Sequence, residues 1–176
     1  MAKGIKKPFF YFDELKPGDK VWLLIYLIYT LGLIVIWAFG DIETKINALF
    51  IYLFAPQISF VFFLYVSLRN LKTYIIWFCV GLIHLTLFFL LKDNAAFGTK
   101  GNPAVIGINT IIVLVLFQGL RFISIKAQRR EFVNPAKAMN GKDLIENRKV
   151  SALDYVISIV YFLALMGISC LSVVYF

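Results

Sequence analysis

The chain has 176 residues, 61% of them hydrophobic, with a mean hydropathy of +0.82 and a formal charge of +8. A soluble domain is about 45–50% apolar, and a small one leaves much of its surface wet, so this composition excludes an ordinary water-soluble fold. Nor does the basic surplus read as nucleic-acid binding: the charges sit between apolar runs, where they set membrane topology and meet anionic lipid headgroups.

Residues 1–20 form a basic, aromatic lead-in in which Phe9-Phe10-Tyr11-Phe12 lies between Lys6-Lys7 and Asp13-Glu14. This segment is expected in the membrane interface. It is too long and charged for a cleavable signal, and the apolar run that follows is of spanning length. From 21 to 176 the sequence predicts a five-span domain. A helix needs about 20 apolar residues to cross the hydrocarbon core, and five stretches provide them: 21–39, 46–67, 73–91, 103–123 and 153–175. Runs such as Leu87–Leu91 (LFFLL) do not alternate, which excludes barrel strands. The fold class is therefore an all-α integral membrane protein, a small bundle of five transmembrane helices.

Local signals mark the span ends. Asp19, after Pro17-Gly18, is expected to cap span 1, and Asn102-Pro103 to open span 4. Ser151-x-x-Asp154 has the form of a capping box before span 5. Trp22, Trp37, Tyr74, Tyr155 and Tyr175 lie at expected interfaces. The 92–102 loop, with Gly98 and Gly101, reads as a turn. The basic loop 124–149 is too short for a core of its own.

Orientation follows from charge. Of the 18 Lys and Arg residues, all but Lys45, Lys92 and Lys100 fall on the side of the N-terminus. The positive-inside rule then puts the N-terminus in the cytoplasm and the C-terminus outside. The cell (inner) membrane is the expected location.

Polar side chains within a span are costly. Gln57, next to Pro56 in span 2, His84 in span 3 and Asn109 in span 4 fall in one layer, on the order of 10–15 Å below the outer surface. If they face inward they form a hydrogen-bonded cluster. That cluster is either a pocket for a ligand or solute or a set of contacts between helices, and Thr110, Ser59 and Ser169 lie at similar depths. Ser158, Ala164 and Gly167 form a small-residue line on span 5 suited to helix packing, within the bundle or against another subunit. Arg121, Lys126, Arg129 and Arg130 are candidates for anionic-lipid or partner contact.

No catalytic residue and no metal ligand set is identified. The chain has one His and two Cys, with no GxSxG, HExxH or GxxxxGK[ST] motif and no intramembrane carboxylate pair. No cofactor is expected. These absences argue against an enzyme. They favour a non-catalytic accessory, assembly or scaffold subunit whose partners are the bilayer and other integral membrane subunits, not nucleic acid. The alternatives are a small-solute carrier or channel component, and a lipid- or quinone-directed enzyme with His84 as base.

Overall fold

The computed structural model describes residues 8–94, 102–139, 141–143 and 146–175; Lys6, Lys7 and loop residues 98–101 lie outside them. Five helices follow in chain order: α1 (Pro17–Phe39), α2 (Ile42–Phe62), α3 (Leu71–Leu91), α4 (Ile106–Gln128) and α5 (Ala152–Tyr175). All five are long and apolar enough to cross a membrane. In lipid a helix is the form that satisfies every backbone group within one segment.

The helix ends carry the polar punctuation. Asp41 caps α2 by accepting from the Thr44 backbone N–H at 2.8 Å, which holds its carboxyl below the usual range. Asn70 caps α3 by accepting from Lys72 N at 3.1 Å. Asn102 accepts from Ala104 N at 2.9 Å and starts a 3-10 turn, Pro103–Val105, that runs into α4. Its amide also donates to the Leu91 carbonyl at 2.7 Å, tying the end of α3 to the start of α4. The capping box before α5 is formed as expected: Asp154 N donates to Ser151 Oγ at 3.2 Å, and Ser151 N to Asp154 Oδ2 at 2.9 Å.

Several boundaries differ from expectation: α2 begins at Ile42 rather than 46, α4 runs on to Gln128 rather than 123, and two further shifts have a local physical reason. Helix α1 begins at Pro17, so Asp19 is its third residue rather than its cap, and its carboxylate reaches back to Lys16 N at 3.0 Å. Span 2 stops at Phe62 rather than Ser67. The next residues turn, then form a 3-10 segment at Ser67–Arg69. Leu64, Tyr65 and Leu68 there are buried in the main core, so their apolar character serves a folded wedge, not a helix.

Helix α4 is the centre of the bundle, packed against α2, α3 and α5, whereas α1 leans on α2. In the most apolar window of each helix, 61% of α4 is buried and none of α1. The approach of α3 to α4 depends on glycine. A Cβ at Gly107 would lie 2.5 Å from the His84 carbonyl oxygen.

The connections on the N-terminal side form a second layer. Residues 8–16 cross the ends of the helices as an extended strap. Leu71 N donates to the Tyr11 carbonyl at 3.0 Å, and the Asn70 amide to the Asp13 carbonyl at 2.9 Å. The basic loop also folds back: Phe132 and Val133 enter the bundle core. Beyond them a two-residue antiparallel pair forms, β1 (Ala138–Met139) with β2 (Lys142–Asp143). Asp143 is buried and accepts from the Tyr65 hydroxyl at 2.9 Å. Arg69, Arg121, Arg129, Arg130 and Arg148 all belong to this face, and Lys45 and Lys92 to the opposite one.

Candidate functional site

Two polar constellations stand out, one inside the bundle and one on its N-terminal face. The inner one joins four helices. Helix α3 buries His84 completely. His84 Nδ1 is 2.8 Å from Thr110 Oγ1 on α4, and Nε2 is 3.1 Å from the Tyr26 hydroxyl on α1. Tyr26 in turn hydrogen-bonds the Tyr52 hydroxyl on α2. Gln57 on α2 directs its amide nitrogen at three acceptors, the Ile106 carbonyl at 2.9 Å, the Leu53 carbonyl at 3.0 Å and Thr110 Oγ1 at 3.1 Å, which share its two N–H protons.

The protons can be placed from these partners. Two backbone carbonyls next to the Gln57 amide fix its orientation, because the reverse would set oxygen against oxygen. Among the described residues the acceptor for the Thr110 hydroxyl is then His84 Nδ1. That leaves the proton of a neutral ring on Nε2, donating to Tyr26, and Tyr26 donates to Tyr52. Thr30 gives its proton to the Tyr26 carbonyl at 2.9 Å, so its oxygen, 3.3 Å from the Tyr52 hydroxyl, receives the last one. The chain therefore runs from an amide to a backbone carbonyl with each donor matched. Gln57 Oε1 is the exception: it is buried and has no hydrogen-bond partner among the described residues.

Of the three residues expected to share this layer, the structure brings Gln57 and His84 together through Thr110. Asn109 is buried on α4, but it is Thr110, one residue on and about 100° around the helix, that bridges them. Tyr26 and Tyr52 escaped the sequence reading because an interior tyrosine and an interfacial one look alike in a hydropathy profile. Thr110→Val keeps shape and removes the bridge, leaving His84 Nδ1 without a donor. The expected loss is about 1–2 kcal/mol, read from the SDS-induced unfolding midpoint in mixed micelles, with Thr110→Ser close to the parent. A valine variant as stable as the parent would show that the bridge contributes nothing.

The second constellation is ionic. Arg121, 1% exposed, forks onto Glu131 through Nε (2.8 and 2.9 Å) and Nη2 (2.7 Å). It also donates to the Phe9 carbonyl at 2.6 Å and stacks 4.4 Å from the Phe9 ring centre. Arg69, likewise buried, pairs with Glu146 and donates to the Phe132 carbonyl. Arg148 reaches buried Asp154 at 3.1 Å. Sequence reasoning put Arg121 with the surface cations; here it is an internal cation, because Glu131 ten residues on folds back onto it. Lys126 is exposed and lies 4.8 Å from the Phe122 ring centre. Arg129 ends α4 in the left-handed region, φ 55°, and Arg130 follows it; both are exposed.

The α5 line divides. Ser158 is half-buried and donates to the Val133 carbonyl at 3.4 Å, and Ala164 is half-buried. Gly167 is exposed, with nothing within 4 Å of a Cβ placed on it. Comparison with family models, with curated proteins and with solved structures finds no match.

Proposed function

We propose that this chain is a non-catalytic, multi-pass subunit that works as an accessory or scaffold in a larger assembly of the cell membrane, its N-terminal face toward the cytoplasm. One observation carries the reading. The hydrogen-bonded chain around His84 starts and ends on groups of the protein itself, so the imidazole has no nitrogen left for a substrate. The outward surfaces of α1 and α5 support it. Neither is covered by the rest of the bundle, and Gly167 opens the second to close approach. The segregation of Lys and Arg supports the orientation.

A solute pathway past Gln57, His84 and Asn109 is the second reading, and the unmatched Gln57 Oε1 favours it. Purification of the tagged chain in mild detergent from its native membrane separates the two. The subunit reading expects a stable heteromeric species larger than the chain with its micelle. Recovery of a lone protein that carries solute into liposomes, with flux lost in His84→Ala at normal protein level, would replace it by the second.

A further inference from the structure

A cleft of about 400 Å³ opens on the N-terminal face, where the strap, the 3-10 segment after α2 and the end of α4 meet. Its charged lining comprises Lys16, Arg69, Arg129, Arg130, Glu131 and Glu146. The larger grooves on the sides of the helices are instead lined mainly by apolar groups.

The two carboxylates in the cleft are already engaged. Glu131 takes the fork of Arg121, and Glu146 takes Arg69, with Arg148 Nε at 3.4 Å. Against them stand three exposed cations, Lys16, Arg129 and Arg130. Among the described residues the Arg130 side chain makes one hydrogen bond, to Gln128 Oε1 at 3.2 Å, and its Nη2 is 4.0 Å from Asp154. The deepest cation is Arg69, whose side chain is 5% exposed. Its Nε is buried and has no hydrogen-bond partner among the described residues; Glu131 Oε2, at 4.0 Å, is too far to accept. A buried guanidinium N–H left unmatched is costly, and among the described residues the Arg69 charge is offset only by carboxylates that Arg121 and Arg148 share.

The cleft also lies at a telling depth. Lys16 precedes the first residue of α1, and Arg129 follows the last of α4. Helices of 23 residues extend about 35 Å, longer than a hydrocarbon core of about 30 Å, so a residue just past the end of an upright, centred helix lies at the edge of the core, within reach of headgroups.

We infer that this cleft binds a phosphate group, with Arg69 at its floor and Lys16, Arg129 and Arg130 at its rim. The phosphate belongs either to an anionic lipid headgroup or to a soluble phosphate. The site goes beyond the subunit role and stands or falls separately from it. It also differs from a diffuse basic surface, because it takes in Arg69 and leaves out Lys126, which does not line the cleft.

The test uses the full chain in an uncharged detergent, titrated separately with short-chain phosphatidylglycerol, short-chain phosphatidylcholine and inorganic phosphate, with binding followed by native mass spectrometry and tryptophan fluorescence. Saturable one-to-one binding of phosphatidylglycerol, and not of phosphatidylcholine, is expected. Binding of phosphatidylglycerol alone identifies the lipid source; equal binding of inorganic phosphate identifies the soluble one; either supports the site. Arg129→Gln and Arg130→Gln should each weaken binding roughly fivefold, and Lys126→Ala should not. Equal weakening by Lys126→Ala, unchanged binding in the Arg129→Gln, Arg130→Gln double variant, or equal affinity for phosphatidylcholine would overturn the proposal.

Discussion

Gly107→Ala is expected to destabilise the bundle by about 3 kcal/mol, the upper end of what overpacking costs. The added methyl would stand 2.5 Å from the His84 carbonyl oxygen and 3.1 Å from its carbon. Both are backbone atoms of α3 and cannot rotate aside, so α3 and α4 must separate. Separation stretches the Thr110–His84 bond, a turn away on the same face. Alanine is a better helix former than glycine by about 1 kcal/mol, which works against the predicted loss and makes its sign informative. Gly119, also on α4, is the control, since nothing lies within 4 Å of a Cβ there. Gly119→Ala should be neutral or slightly stabilising. Unfolding midpoints in SDS mixed micelles measure both, and two shifts of the same sign would refute the close-contact argument.

Arg121→Ala should cost about as much, roughly 3 kcal/mol, because removing one partner of a buried ion pair leaves the other uncompensated. Glu131 is partly exposed, with 26% of its side chain accessible, which keeps the figure at the lower end of that range. The loss also frees the Phe9 carbonyl and the Phe9 ring from the guanidinium, so the strap should become sensitive to protease while the helices stay protected. Arg121→Lys should not restore stability, since a single ammonium cannot reproduce the fork. Lys126→Ala, on the exposed side of the same helix, should change stability by less than about 0.5 kcal/mol. A thermal midpoint for Arg121→Ala within error of that for Lys126→Ala would show that the pair does not hold the face together.

Both predictions concern how helices and loops meet, and that is where reading the sequence alone met its limit. Arg121 lies at the end of an apolar run among other cations, and its linear neighbourhood is that of a surface residue. Only the return of the chain at Glu131 makes it internal. Likewise Gly107 is one of 11 glycines, and its importance comes from a carbonyl 23 residues away on another helix. In the buried chain the sequence singled out His84 and Gln57, because an amide and an imidazole in lipid require a reason to be there. It ranked Asn109 above Thr110 on polarity, whereas the direction each faces around α4 made Thr110 the bridge.

The number of spans, their order and the gathering of cations at one end were determined by the sequence itself. Compatibility with hydrocarbon is a property of each 20-residue stretch and needs no knowledge of its neighbours. The caps at Asn102 and Ser151 were equally local, since each bonds within a few residues of itself. The end of α2 at Phe62, the entry of Phe132 and Val133 into the core, the tyrosine hydroxyls at His84 and the cleft beneath Lys16 were decided only by the tertiary structure. These depend on the azimuth of each helix and on contacts far apart in the chain. In a helix that is apolar all round, no periodic pattern records which side turns inward.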